Sequence, residues 1–205
     1  GEVWKIAEIR LKQLEKSFEV SKNRHPVLRQ FSTELDTEKI TVVLGRSGCG
    51  KTTLLRILAG LESLDGGEIL FEKQEKLGVV FQEPRLMPWL TLEQNILFGA
   101  DKKKYSKNQL KEREEGLLKL TGLEKFGNAY PDQLSGGMMQ RAALGRALAC
   151  DASYLLMDEP FAALDHFTRQ TMQREFLRIC VEERMGALFV THSVDEALLL
   201  GDEIL

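Results

Sequence analysis

The sequence predicts an α/β fold whose core is a mainly parallel sheet. Four continuous apolar runs carry this prediction, because strands buried on both faces of a parallel sheet lack the apolar–polar alternation of half-exposed strands. The runs are KITVVLG (Lys39–Gly45), LGVVFQ (Leu77–Gln82), YLLMDE (Tyr154–Glu159) and ALFVTH (Ala187–His192). Helical patterns separate them, over Lys51–Leu61, Met138–Ala149 and Phe167–Glu183. Ligands bind beyond the carboxyl ends of such strands, so the polar ends of all four runs should meet at one edge.

Two further segments complete the predicted organisation. We expect the first forty residues, which include EIRLKQLEKSFEV, to form an antiparallel β element, although the part EIRLKQLEK also fits a helix. A mostly helical, amphipathic insertion is expected between Gln82 and Ser135, where charge is dense and leucines are interspersed. The charges of this insertion are expected to form a solvated face. The prediction is a core of residues 1–82 and 150–205 and a helical subdomain of residues 83–149.

Composition and charge exclude several classes of function. The formal net charge of -3 is too small to steer nucleic acid or anionic lipid towards the chain, so no nucleic-acid partner is expected. No apolar run approaches the roughly 20 residues that cross a bilayer, and the first residues lack the pattern of a signal peptide. The three cysteines form neither a CxxC pair nor a cluster with histidine, which argues against a zinc site or a disulfide framework and favours a reducing cytosol.

The stretch GRSGCGKT (Gly45–Thr52) matches the phosphate-binding P-loop pattern between a predicted strand and a predicted helix. Its glycines let backbone N–H groups curl around a β-phosphate, and Lys51 brings a positive charge near the β- and γ-phosphates. The Thr52 hydroxyl is a ligand for Mg²⁺, and Cys49 is interpreted as a spacer in the loop. The core is therefore expected to be that of a P-loop NTPase. Its nucleotide-binding residues are expected to be Gly45, Arg46, Ser47, Gly48, Cys49, Gly50, Lys51, Thr52 and Thr53.

Two adjacent acids close the third apolar run. Asp158 is expected to hold Mg²⁺ directly or through water, and Glu159, turning away at the end of the strand, to polarise the attacking water. The alternative, that both acids are helix caps or solvated groups, is disfavoured by the P-loop upstream.

Gln82 and His192 end two other runs on the same edge. Alone, each would be interpreted as a polar end cap. Beside Lys51 and Asp158, we expect Gln82 to contact Mg²⁺ or the water, and His192 to contact the γ-phosphate and hold Glu159. His25 and His166 are expected to be surface residues.

A second anion site is predicted at LSGGMMQRAALGRAL (Leu134–Leu148). Its Ser135-Gly136-Gly137 turn runs into strong helix formers, and a helix N-terminus preceded by small residues exposes N–H groups and a partial positive charge.

The order of these motifs resembles that of the ATP-binding subunits of ABC transporters over nearly the whole chain. The resemblance implies that Leu134–Met138 is the family signature, that Gln82 is the Q-loop residue, that AALD (Ala162–Asp165) is the D-loop and that His192 is the H-loop residue. It also implies that Phe18 stacks on adenine; a core position is the alternative. The chain departs from the usual pattern at Met138, where glutamine is common, and at Ala162, where serine is usual, so coupling between subunits could be altered.

The resemblance further implies how such subunits work. Two chains pack head-to-tail, so that Ser135, Gly136, Gly137 and Asp165 of one chain close over the ATP on the P-loop of the other. The stretch EPRLMPWLTLEQNI is similar to the branch that imports nitrate, sulfonate, taurine and related solutes, with an extracytoplasmic solute-binding protein. The membrane permease would dock near Gln82–Asn95, with Trp89 as an anchor. In the alternative, Trp89 packs against the helical insertion. The subunit would be peripheral, on the cytoplasmic face of the inner membrane.

Two other functions fit the sequence less well than transport. A soluble ABC-type ATPase acting on DNA or ribosomes would need a long coiled coil or a zinc module between the P-loop and the signature, or two fused cassettes, and the sequence has neither heptads nor Cys pairs there. A nucleotide kinase would leave the Ser-Gly-Gly segment and His192 without a role.

Overall fold

The computed structural model describes residues 8–20, 23–73 and 76–205 of the chain. Residues 1–7, 21–22 and 74–75 of the predicted core lie outside the described residues. An antiparallel sheet comes first, as predicted, from strands β1 (Glu8–Val20), β2 (Asn23–Asp36) and β4 (Gly66–Phe71) in the order β2-β1-β4.

The helix alternative for EIRLKQLEK is wrong, and a β-bulge explains why the pattern was ambiguous. Ile9, Leu11 and Leu14 are all buried in β1. Gln13 has a φ of 49°, and the strand register shifts between Leu11 and Leu14. The extra residue moves the next inward side chain from position 13 to position 14, which gives the three-residue spacing that also suits a helix.

A five-stranded parallel sheet forms the centre of the molecule, as predicted. Its strands are β3 (Ile40–Leu44), β5 (Leu77–Val80), β6 (Tyr154–Asp158), β7 (Gly186–Thr191) and β8 (Glu203–Ile204), in the order β5-β6-β7-β3-β8. Strand β5 ends two residues before Gln82, so Gln82 follows the strand at a bend.

Six α-helices are described around this sheet, and the insertion is mostly helical as predicted. They are α1 (Lys51–Leu58), α2 (Leu92–Ile96), α3 (Lys107–Leu120), α4 (Gly136–Ala149), α5 (His166–Glu183) and α6 (Val194–Leu200), with 3₁₀ turns at Leu97–Gly99, Glu124–Phe126 and Pro131–Gln133. Helix α1 ends before the predicted Leu61 because Gly60 takes a left-handed φ of 69°. In the described part of the chain, no helix has the length and apolar character needed to cross a membrane.

The parallel sheet is buried on both faces, which accounts for its continuous apolar runs. In β6, Tyr154 and Leu156 pack in one cluster with α1 and the antiparallel sheet, while Leu155 and Met157 pack in a second cluster with α2, α4, α5 and α6. The helical insertion therefore rests on one face of the sheet. The division into a core and a helical subdomain at residues 83 and 149 remains a prediction.

Candidate active site

The P-loop joins β3 to α1 at the carboxyl edge of the parallel sheet. Gly48 and Gly50 have φ values of 82° and 104°, a region that favours glycine. A Cβ on Gly50 would lie 2.8 Å from Cγ1 of Val27, so a side chain would also collide with β2. Both glycines are thus required for the tight curl that presents backbone N–H groups to a ligand.

The N-terminus of α1 is unlike those of the other described helices. Its N-cap is Gly50, and no side chain accepts a hydrogen bond from its first turn. Side-chain oxygens cap the others, namely Thr91 for α2, Ser106 for α3, Ser135 for α4, Asp165 for α5 and Ser193 for α6. The N–H groups of α1 are therefore available for an anion, where the helix dipole favours one.

Lys51, the first residue of α1, brings a cation to the same place. Its side chain is buried, and Nζ donates hydrogen bonds to the carbonyl oxygens of Gly45 at 2.7 Å and Arg46 at 2.9 Å. The loop thus wraps the ammonium group beside the free amides of α1. This combination suits a phosphate chain.

Thr52 and Asp158 meet across the loop and the end of β6. The Thr52 hydroxyl donates to Oδ1 of Asp158 at 3.0 Å. Burial raises the pKa of Asp158, against the opposing effect of the Thr52 hydrogen bond. A hydroxyl and a desolvated carboxylate are the hard oxygen ligands that Mg²⁺ prefers, so these two residues fit that ion.

Glu159 leaves β6 by a backbone turn. Its φ is 45°, and its N–H donates to the carbonyl of Val190 in β7 at 2.9 Å. The turn interrupts the alternation of side chains along β6, so the side chain of Glu159 lies beside the P-loop. Its Oε2 is 2.9 Å from Nδ1 of His192, which follows β7 directly. A carboxylate and an imidazole are thereby paired at the sheet edge.

Two clefts flank this pair, and both include Ser47 and Glu159. One, of about 210 Å³, is lined by Phe18, Val27 and the P-loop; the other, of about 580 Å³, includes Gly45, His192 and Val194. The ring of Phe18 is 37% exposed and lies beneath Nζ of Lys16, 5.2 Å from the ring centroid. The core alternative for Phe18 is therefore wrong.

The Ser-Gly-Gly segment lies apart from these clefts. Ser135 and Gly136 are exposed, and the Ser135 hydroxyl caps α4 by accepting from Met138 N at 3.3 Å. A Cβ on Gly137 would lie 2.7 Å from Cγ2 of Thr168, so α4 and α5 begin side by side. None of the three residues of this segment lines either cleft.

Asp165 also serves a local structural role. Its Oδ1 accepts from the backbone N–H groups of Phe167 and Thr168 at 3.1 Å each, which caps α5. Hydrogen bonds, foremost from the Thr168 side chain, lower the pKa of this carboxyl. Asp165 is exposed beside the Ser-Gly-Gly segment and likewise does not line the P-loop cleft.

Gln82 is exposed and lies outside the lining of both clefts. Two residues that sequence reasoning missed hold its neighbours. Gln140 of α4 donates to the carbonyl of Phe81 at 3.1 Å, and Arg146 of α4 donates to Pro84 O at 2.7 Å and to Arg85 O at 2.8 Å. The available signal was the long polar side chains of a helix that is rich in buried alanine and leucine.

The segment after Gln82 presents Trp89 to solvent. Asn95, fully buried in α2, accepts from Met87 N at 2.7 Å and donates to the carbonyls of Met87, Leu90 and Thr91. The loop is thereby fixed, while Trp89 remains 69% exposed. The alternative in which Trp89 packs against the helical insertion is wrong.

The remaining predictions concern surface residues and cysteines. His25 and His166 are exposed, as expected. Cys49, Cys150 and Cys180 are all free thiols. The described residues contain no group of three His, Cys, Asp or Glu side chains arranged to hold a metal ion.

Known proteins are similar to this chain in sequence and in fold. A family described as ABC transporter matches residues 28–162. The chain is 46% identical over 203 residues to an uncharacterized ABC transporter ATP-binding protein of Methanocaldococcus jannaschii, covering 96% of this chain and 76% of that protein. It is 42% identical over 203 residues to an aliphatic sulfonates import ATP-binding protein of Bacillus thuringiensis subsp. konkukian, covering 96% and 79%.

The fold also matches a solved structure. This is a dimeric ATP-binding cassette in a post-hydrolysis state bound to ADP and Pi, with a TM-score of 0.83, 27% identity and coverage of 96% of both chains. The P-loop, the paired acids and the sheet-edge histidine identified above, together with this relationship, lead to one conclusion: the chain belongs to the ABC transporter family and is one of its ATP-binding, ATP-hydrolysing subunits.

Proposed function

We propose that this chain hydrolyses Mg²⁺-ATP in a homodimer and thereby drives a separate membrane permease that imports a small solute of the nitrate, sulfonate or taurine kind. The proposal depends on one observation: the chain has two separate candidate phosphate-binding features, the P-loop and the Ser-Gly-Gly turn. The P-loop cleft faces the Glu159–His192 pair, while the exposed Ser135–Gly137 turn lies outside that cleft.

In this proposal the nucleotide is held mainly by the P-loop. The uncapped N–H groups of α1 bind the β-phosphate, and Lys51 exchanges its bonds to the loop carbonyls for the β- and γ-phosphate oxygens. Arg46, Ser47, Cys49 and Thr53 complete the loop around the phosphates. Phe18, an exposed residue of the cleft lining, offers a face on which adenine stacks.

Thr52 and Asp158 would hold the metal, with Gln82 as a further ligand. An Mg²⁺ ion held by these residues would neutralise charge on the β- and γ-phosphate oxygens. The desolvated carboxylate of Asp158 supports this assignment, because a buried negative charge is stabilised by a nearby cation.

Glu159 acts as the general base. Its carboxylate takes a proton from a water molecule as the water oxygen attacks the γ-phosphorus, and the bond to the oxygen of ADP breaks. The 2.9 Å contact with His192 orients the carboxylate, and the imidazole contacts the γ-phosphate. Orientation matters because the base must lie within hydrogen-bond reach of the water.

A second copy of the chain would complete each site. The exposed N-terminus of α4, with Ser135, Gly136 and Gly137, would close over the γ-phosphate bound by the partner, and Asp165 lies beside it on the same surface. The dimeric state of the solved cassette supports this arrangement. Hydrolysis and phosphate release remove the charge that joins the halves, and the dimer opens.

The permease would dock on the segment Gln82–Asn95. An exposed Trp89 on a loop fixed by a fully buried Asn95 is a rigid aromatic anchor of the kind that dominates interfaces. The subunit would then sit on the cytoplasmic face of the membrane, in a complex that includes an extracytoplasmic solute-binding protein. The similarity to the aliphatic sulfonates import protein of Bacillus supports a sulfonate-like solute.

Copurification and reconstitution test the transport function. A tagged chain should bring down a multi-span permease from its native membrane, and vesicles containing the complex should take up taurine, an alkanesulfonate or nitrate when ATP is present on the side of this subunit. Trp89→Ala should abolish copurification and leave ATP binding intact. A chain that hydrolyses ATP but copurifies with no membrane protein would favour the soluble ABC-type ATPase.

A further inference from the structure

A buried carboxylate lies four residues after the histidine of the site, in α6, and has no role in the chemistry described above. Glu196 in α6 is 7% exposed. Its Oε2 accepts a hydrogen bond from the Thr191 hydroxyl, and its Oε1 accepts from Nε2 of Gln173 at 3.2 Å. Both donors are neutral. Burying a carboxylate is costly unless its oxygens are satisfied, so this position requires both donors.

Hydrogen bonds join Glu196 to both sequence neighbours of His192. Thr191 precedes His192, and its hydroxyl, besides donating to Glu196, accepts from the backbone N–H of Ser193 at 3.0 Å. The Ser193 hydroxyl in turn accepts from the backbone N–H of Glu196 at 3.3 Å. Thr191 is therefore tied to the buried carboxylate, and Ser193 is tied to the Thr191 hydroxyl and to the backbone of Glu196.

Gln173 connects this cluster to a second element. It lies in α5, is 5% exposed, and donates to Glu196 across the gap between α5 and α6. Helix α5 begins at the D-loop residue Asp165 and packs beside Gly137. The backbone that carries His192 is thus fixed relative to the helix that begins beside the Ser-Gly-Gly turn.

We propose that Glu196 is a positioning residue for hydrolysis, which acts through Thr191 and Ser193 to hold His192 against Glu159. The inference rests on the role of His192 in the proposed function. The His192 side chain is 61% exposed, and its contact with Glu159 depends on where its backbone is held. The hydrogen bonds of Thr191 and Ser193 fix that backbone, and a displacement of about 1 Å at a catalytic group reduces rates by orders of magnitude.

Thr191→Val is the primary test, because valine keeps the shape of this buried residue and removes the hydroxyl that joins Glu196 to Ser193. We expect kcat for ATP to fall about tenfold with the Kd for ATP unchanged. Glu196→Leu should have the same effect. Glu196→Gln should remain within about twofold of the parent, because its amide oxygen still accepts from Thr191 and Gln173 can turn its own amide to match.

His192→Ala separates this role from general destabilisation. If Glu196 acts through His192, Thr191→Val should cause no further loss of kcat in a His192→Ala background. Two controls match the substitutions. Thr121→Val removes a buried hydroxyl that follows α3 and donates to its carbonyls, and Asp195→Asn removes an exposed charge beside Glu196. Both should leave kcat unchanged.

Three outcomes would overturn the inference. They are a parental kcat for Thr191→Val, an equal loss of kcat with and without His192, and a loss of ATP affinity as large as the loss of kcat. If His192→Ala itself hydrolyses ATP at the parental rate, the proposed role of His192 fails as well. If His192→Ala is impaired but Thr191→Val is not, only the positioning role of Glu196 fails.

Discussion

Glu159 is one of six described residues other than glycine whose backbone has a positive φ. A φ of 45° is uncommon for a residue with a side chain and costs about 1–3 kcal/mol where it persists. The hydrogen bond from its N–H to Val190 and the contact with His192 stabilise this turn. Two adjacent acids after an apolar run predicted both functional groups. The direction of the second depends on β7, which only the fold brings alongside.

Glu159→Gln should lower kcat by roughly 10²–10⁴-fold, because an amide cannot accept the proton of the attacking water. ATP binding should persist, since Lys51 and the P-loop amides are unchanged. Single-turnover hydrolysis and ATP-dependent dimerisation, followed by size-exclusion chromatography, measure the two effects. Near-parental hydrolysis by this variant would show that Glu159 is not the base.

Asp158→Asn should stabilise the nucleotide-free chain and abolish the effect of Mg²⁺. Burial raises the pKa of Asp158 in the folded state above its value in the unfolded state. Protonated Asp158 therefore stabilises the fold, fully so below the unfolded-state pKa, and this stabilisation is lost as the pH rises through the folded-state pKa. At neutral pH the ionised carboxylate therefore weakens the fold, and asparagine removes that cost.

Thermal unfolding with and without Mg²⁺-ATP tests this expectation. The Tm of the nucleotide-free variant should exceed that of the parent between pH 6 and 8, while the added stabilisation by Mg²⁺ should disappear. Asp195→Asn, at an exposed site, serves as the control. A lower Tm for nucleotide-free Asp158→Asn would contradict the assignment.

At the scale of the element, two serine N-caps allow a stabilising role to be separated from a functional one. Ser106 and Ser135 cap α3 and α4, each accepting from the third helical N–H at 3.3 Å, and α3 has in addition a reciprocal hydrogen bond from Ser106 N to Oε1 of Gln109. The sequence predicted the Ser135 turn, since small residues preceded strong helix formers. It did not predict the bulge at Gln13, because a bulge and a helical turn place apolar residues at the same spacing.

Ser135→Ala and Ser106→Ala form a matched pair. Each should lower the free energy of unfolding by about 1 kcal/mol through loss of an N-cap. Only Ser135→Ala should also reduce steady-state ATP hydrolysis, because only that cap lies at the surface proposed to meet the partner's nucleotide. Urea denaturation and ATPase assays of both variants provide the comparison. Equal ATPase rates for the two variants would count against a role for Ser135 in the site.

At the scale of the whole molecule, the sequence predicted that the site residues meet at one edge of the sheet. It did not predict the hydrogen bonds that hold the segment after β5. Four apolar runs with polar ends were enough to predict that Lys51, Asp158 and His192 meet at one sheet edge, because parallel strands share their carboxyl ends. The bonds from Gln140 and Arg146 to the backbone of residues 81–85 join segments about sixty residues apart. No local pattern in the sequence encodes which carbonyls a long side chain reaches.

The central claim is that each ATP is enclosed by two chains, and a mixed dimer tests it most directly. One chain carries Ser135→Arg and its partner carries Lys51→Ala; the control places both substitutions in one chain beside an unmodified partner. If each site combines the P-loop of one chain with the Ser-Gly-Gly turn of the other, both substitutions of the first dimer fall in the same site. That dimer should hydrolyse one trapped ATP in a single turnover. The control has one substitution in each site and should hydrolyse none. The reverse pattern, an inactive first dimer and an active control, would contradict the claim.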